Sequence, residues 1–145
     1  MKIFFDANIF YTDLLFKHPE IQLLLEMSSE NFIEIYIFNM VICELIHNKI
    51  GSWKDYIIWN SYEQIINNLK EEDYIFISNN TNDFASQSNK EVLNPNFLIE
   101  SKNIKYYHSI KDLFEKNDKF KVIREKFEKL QPIKELKDLI EKVVK

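Results

Sequence analysis

The sequence predicts an α/β fold with a parallel sheet covered by helices on both faces. Three observations carry that prediction. Short apolar or alternating runs recur at 2–5, 33–38, 74–78 and 104–107, helical periodicity fills the stretches between them, and no internal repeat or linker interrupts the alternation. At 145 residues the chain fits one domain with a real core.

The elements follow in order. Lys2 to Phe5 reads as a short buried strand that stops at Asp6, and Asn8 opens an apolar-periodic stretch through Tyr11, Leu14 and Leu15. Pro19 suits the first position of a helix whose inner face is Ile21, Leu24, Leu25 and Met27. Residues 33–38 alternate at period two and are rich in branched and aromatic side chains, which predicts a second strand. Met40 to His47 reads as helical, with Val41, Ile42 and Leu45 inward. Ser52 and Asp55 have the spacing of a capping box, and Ile58, Tyr62, Ile65, Ile66 and Leu69 follow at helical spacing, so a helix is expected over about 53–70. A third strand over 74–78 ends in the polar turn 79–83, Pro95 can open another helix, and a fourth strand is expected at 104–107. Ser109 and Asp112 cap the next helix. Beyond Asn117 the pattern is helical to the end, interrupted at Pro132, with Ile133, Leu136, Ile140 and Val143 on one stripe.

Composition excludes several function classes. Gly51 is the single glycine, so neither a phosphate-cradling P-loop nor a G-x-G-x-x-G fingerprint can be built. Cys43 is the single cysteine, which rules out an internal disulfide, and it reads as a core residue in place of a nucleophile. The opening residues run straight into structure where a signal peptide would lie, and no apolar run reaches the roughly 18 residues of a membrane span. A cytoplasmic protein without membrane association is expected. A net charge of −4 gives no global attraction to nucleic acid. Residues 102–129 nonetheless carry nine basic side chains against five acidic ones, a pattern that is usually a solvated helix face and can also be a binding patch. His18, His47 and His108 show no metal-ligand spacing and read as surface or partly buried residues. Trp59 and the tyrosines read as core, with Tyr106 and Tyr107 placed where they could also stack on single-stranded RNA.

The acidic residues sort by position. Ligands of open parallel sheets bind beyond the carboxyl ends of the strands. Asp6 ends the first strand, Glu44 lies on the helix after the second and Asp83 in the loop after the third, so all three are expected at one edge. Asp55 opens the helix that feeds the third strand, and such a crossover helix starts near the same edge. Carboxylates crowded there without a cation would repel one another. All-oxygen ligands favour Mg²⁺ or Mn²⁺, which can activate water for attack on phosphorus and stabilise the departing oxygen.

Three segments resemble the motifs of PIN domains in the right order. Residues 3–8, Ile-Phe-Phe-Asp-Ala-Asn, resemble the opening D-x-N. Residues 40–45, Met-Val-Ile-Cys-Glu-Leu, resemble the second acidic motif, and residues 77–84, Ile-Ser-Asn-Asn-Thr-Asn-Asp-Phe, the T-R-N-x-x-D-F block. Asp55 to Trp59, Asn94 to Asn96 and Tyr107 to Ser109 are similar to segments of a poorly characterised PIN-like branch. The resemblance covers about residues 1–116, leaving 117–145 as a helical extension packed on that domain or used for association. It implies a PIN-like three-layer sandwich with four to five parallel strands, and a Mg²⁺- or Mn²⁺-dependent endoribonuclease whose catalytic and metal-binding residues are Asp6, Glu44, Asp55 and Asp83. Asn8, Ser78 and Asn80 become supporting or phosphate-contacting groups. RNA is the implied substrate ahead of DNA, and an antitoxin protein is the implied partner; the apolar stripe of the extension separately allows a second copy of the chain as partner. The alternative is a catalytically silent module of the same fold that binds a protein or nucleic acid. The chain departs from the pattern between Glu44 and Asp55, where ten residues stand in place of a helical excursion of several tens.

Overall fold

The computed structural model describes residues 1–10, 17–37, 54–70, 73–99 and 102–144. Four strands, β1 (Lys2–Phe5), β2 (Glu34–Ile37), β3 (Asp73–Ile77) and β4 (Asn103–Tyr107), form one sheet in the order β2-β1-β3-β4, every pair parallel. Helices α1 (Pro19–Ser29), α2 (Lys54–Asn68), α3 (Ile110–Lys116) and α4 (Asp118–Val144) flank it.

The strand order explains the layering. From β1 the chain first moves outward to β2 and then crosses back past β1 to β3. Right-handed crossovers taken in opposite directions put their helices on opposite faces. Accordingly Trp59 and Tyr62 of α2 meet Phe4 and Phe76 at ring-centroid distances of 4.9–6.1 Å on one face. On the other, Ile21 and Leu24 of α1 and Ile110 of α3 close around Phe5, Ile35 and Ile37. The segment between β3 and β4 stays on the α2 face, where Phe84 and Phe97 join Phe76 and Trp59. With both faces covered, β1 and β3 are buried almost throughout.

Local chemistry sets the element ends. Pro19 occupies the first turn of α1, and the His18 side chain accepts from the Glu20 N–H. At the other end Phe32 N–H reaches Met27 O at 2.9 Å and Asn31 N–H reaches Ser28 O at 3.0 Å, the paired bonds of a Schellman cap. Asn31 sits at φ 62°, a conformation that glycine usually fills and that this glycine-poor chain gives to asparagine. Ser109 Oγ accepts from Asp112 N–H at 3.1 Å, as its capping spacing predicts. Asn117 then ends α3 and caps α4, its Oδ1 accepting from Phe120 N–H at 2.9 Å while its Nδ2 donates to Tyr107.

Three expectations change. Leu25 is 42% exposed, because the buried ridge of α1 runs at three-residue steps through Ile21, Leu24 and Met27. A 3₁₀ turn spans Ala7–Ile9, and the rest of the stretch expected from Asn8 through Tyr11, Leu14 and Leu15 lies outside the described residues. Pro95 opens only a 3₁₀ turn, Pro95–Phe97, since Phe97 locks against Trp59 and Phe84 and Leu98 turns extended toward β4. Helix α4 runs through Pro132 instead of stopping there. The proline removes one N–H donor, and on this exposed stretch water can solvate the carbonyl it leaves. The expected helix at 40–47 and the Ser52 cap lie outside the described residues.

The first half of α4 belongs to the core. Phe120 and Phe127 are buried, Phe127 edge-on to Phe32 and Phe120 stacked on Phe114. Further along, Ile133 and Leu136 of the predicted stripe are exposed, and the side chains of Ile140 and Val143 lie outside the described set. Within the basic run, Lys111, Lys116, Lys119, Lys121 and Arg124 form ion pairs with acidic neighbours. Among the described residues no helix is long and apolar enough to cross a membrane.

Candidate functional site

The carboxyl ends of β1 and β3 meet where the chain's direction of travel across the sheet reverses, the place where open α/β sheets bind ligands. The ladder carries one residue beyond each strand. Asp6 N–H donates to Ile77 O at 3.0 Å and Ser78 N–H to Tyr107 O at 3.1 Å, so the sheet itself aims these two side chains.

Asp6 is only 2% exposed. A carboxylate so buried needs hydrogen bonds, and the fully buried Ser78 hydroxyl donates to its Oδ2 at 2.7 Å. The same Ser78 oxygen accepts from Asn80 N–H at 3.0 Å and from Asn8 Nδ2 at 3.3 Å. Asn80 Nδ2 in turn donates to Asp83 Oδ2 at 2.6 Å. Asn8 also grips Asn79, accepting from its N–H and receiving its side-chain amide on the backbone carbonyl, both at 3.3 Å. One hydrogen-bonded chain therefore unites Asp6, Asn8, Ser78, Asn80 and Asp83, with Asp83 joined to Asp6 through Ser78 and Asn80.

Two tyrosines brace this edge from the α2 face. Tyr106 donates to the Ser78 carbonyl at 2.6 Å, and Tyr62 donates to the Phe5 carbonyl just before Asp6. Burial, with the nearby Asp6 charge as the second cause, holds the Tyr106 phenol well above its usual pKa, so it stays a donor. Sequence reasoning placed Tyr106 in the core or on a nucleic acid and missed this bracing role. A hydroxyl-bearing ring at the penultimate position of a strand was the available signal.

The other two expected acids stand differently. Glu44 lies outside the described residues. Asp55 is on the first turn of α2, its side chain outside the described set. Helix α2 runs from the carboxyl edge, near the Phe5 carbonyl, toward the amino edge, where Leu69 O accepts from Lys102, so its first turn belongs to the Asp6 side. Among the described residues no three His, Cys, Asp or Glu side chains form a metal-holding group. The described edge offers a buried carboxylate, an exposed one, and hydroxyl and amide groups that fix both. Such a set can hold a hard cation or accept protons. In comparison with known proteins, no family model, no curated protein and no solved structure matches this chain.

Proposed function

We propose that this chain is a PIN-like endoribonuclease that hydrolyses RNA phosphodiester bonds at the Asp6 edge, with Mg²⁺ or Mn²⁺ as cofactor. The observation that supports it best is the buried Asp6 carboxylate, held by Ser78 at the point where the strand order reverses. Burying a carboxylate costs stability that hydrogen bonds offset only in part, so a buried aspartate where an apolar side chain would pack more cheaply supports a chemical use for it. Asp83 adds a second carboxylate on the same hydrogen-bonded chain.

The donors fit the proposed ion. Magnesium binds through one or two carboxylates and fills its other positions with waters and phosphate oxygens. Asp6 and Asp83 would hold it, and Glu44 and Asp55 complete the proposed set. When bound, the ion supplies Lewis-acid polarisation of the phosphoryl group and a water of lowered pKa. Ser78 fixes the Asp6 rotamer, Asn80 orients Asp83, and Asn8 ties the β1 loop to the β3 loop. An antitoxin protein covering this edge is the partner the reading implies.

The test is incubation with single-stranded RNA in Mn²⁺, with single-stranded DNA alongside. Wild-type chain should cut the RNA, Asp6→Asn should lose more than about 100-fold in rate, and Ser78→Ala roughly 10–100-fold, as for partners that orient a metal ligand. If wild-type chain cuts neither polymer in Mn²⁺ or Mg²⁺, the nuclease reading falls and the silent binding module replaces it.

A further inference from the structure

Beside the Asp6 edge, between the starts of α1 and α3, lies an open cavity of about 630 Å³. Its size suits a nucleotide unit, inside the roughly 300–1,000 Å³ range of small-ligand sites. Its lining divides chemically. Ile9, Ile21 and Ile110 supply apolar surface, while the Lys17 ammonium, the imidazoles of His18 and His108 and the Glu20 carboxylate supply polar groups. Both imidazoles are held in place: His108 Nε2 bonds the Lys90 carbonyl and His18 Nδ1 accepts from Glu20 N–H.

What ties this cavity to the acidic edge is Asn79. It lines the cavity and is bonded twice to Asn8, whose amide reaches Ser78 and so the residue that holds Asp6. A strand whose phosphate lay at Asp6 would therefore meet the cavity with an adjoining nucleotide. We infer that this cavity seats the nucleotide next to the cut phosphodiester of single-stranded RNA, its base on the isoleucine surface and its phosphate at Lys17 and His108. Apolar contact to an unstacked base and basic contact to the backbone are the usual terms of single-strand recognition, and a duplex would keep that base stacked. The inference rests on the proposed nuclease reading and adds where the substrate is gripped.

The experiment measures binding apart from cleavage. Anisotropy of a short fluorescein-labelled oligouridylate is followed in EDTA with the full chain, with Lys17→Glu, with Lys17→Glu combined with His108→Gln, and with Lys126→Glu as an equal charge change on exposed α4 surface. Thermal melts verify that each variant folds, and the single Lys17→Glu variant serves if the double does not. The double variant should bind about tenfold or more weakly and show a shallower dependence on salt by about one phosphate contact, while Lys126→Glu stays near wild type. Unchanged binding in the cavity variants, or an equal loss in Lys126→Glu, overturns the inference. The same proteins in Mn²⁺ separate it from the reading beneath it. Cleavage that survives in the cavity variants with unchanged KM sinks the cavity and spares the nuclease, whereas cavity-dependent binding without any wild-type cleavage sinks the nuclease reading, and with it the placement beside a cut phosphodiester, and leaves the cavity as a site for single-stranded RNA alone.

Discussion

Ser78 accepts two N–H donors and donates to Asp6, so one hydroxyl decides how a buried carboxylate is held. The loop's own carbonyl depends on Tyr106 in the same way. Tyr106→Phe should cost about 1–2 kcal/mol at neutral pH, because it orphans a buried acceptor. The pH dependence has a definite sign. Burial and the Asp6 charge raise the folded phenol's pKa above the unfolded value of about 10, so below that value both states keep the proton. At higher pH the unfolded chain releases its proton first, and stability falls as pH rises. Urea melts at neutral pH and above about pH 10 should show the advantage of wild type over Tyr106→Phe shrinking in alkali. Ser78, Asn80 and Asp83 were singled out through the motif resemblance, and the structure shows them on one hydrogen-bonded chain with Asp6. Tyr106 was not, since nothing in a sequence names the carbonyl a phenol will find twenty-eight positions away.

At the scale of elements, period and capping chemistry served well where the signal is short-range. The four strands begin and end within a residue of their apolar runs, apart from Phe38, which lies outside the described residues, and Pro19 and Ser109 start helices as their chemistry requires. Leu25 shows the limit, because which of two adjacent leucines faces inward depends on the angle at which α1 crosses the sheet. The Schellman cap at Asn31 offers a sharp check. Asn31→Gly should stabilise the chain by up to about 1 kcal/mol, and Asn31→Ala should destabilise it by about 1–2 kcal/mol, since only the former relieves the cost of a left-handed residue. Chemical denaturation of the three proteins reads both. Across β1 and β2, buried Lys2 donates to Glu34 at 2.6 Å, holding the carboxyl below its usual pKa, with Tyr36 as a further donor. That contribution is present above the ordinary carboxylate range and is lost as acid protonates Glu34.

For the whole molecule, the core is continuous across the sheet and into the first half of α4. Phe127→Ala should therefore cost about 3–5 kcal/mol, and a chain ending at Lys116, deprived of both Phe120 and Phe127, should lose its cooperative unfolding transition in urea with near-ultraviolet dichroism as the readout. The sequence by itself determined the α/β class, the four strands, the turn residues and the position of Asp6 and Asp83 on loops after strands. Those features follow from periodicity and local backbone chemistry, which act over a few residues. Only the tertiary structure decided that β1 lies between β2 and β3, that Ser78 reaches Asp6 across seventy-two positions, and that His18 and His108, unremarkable apart, line one cavity. Such meetings depend on strand order and crossover direction, which are settled by burying both faces of the sheet at once and leave no mark on neighbouring residues.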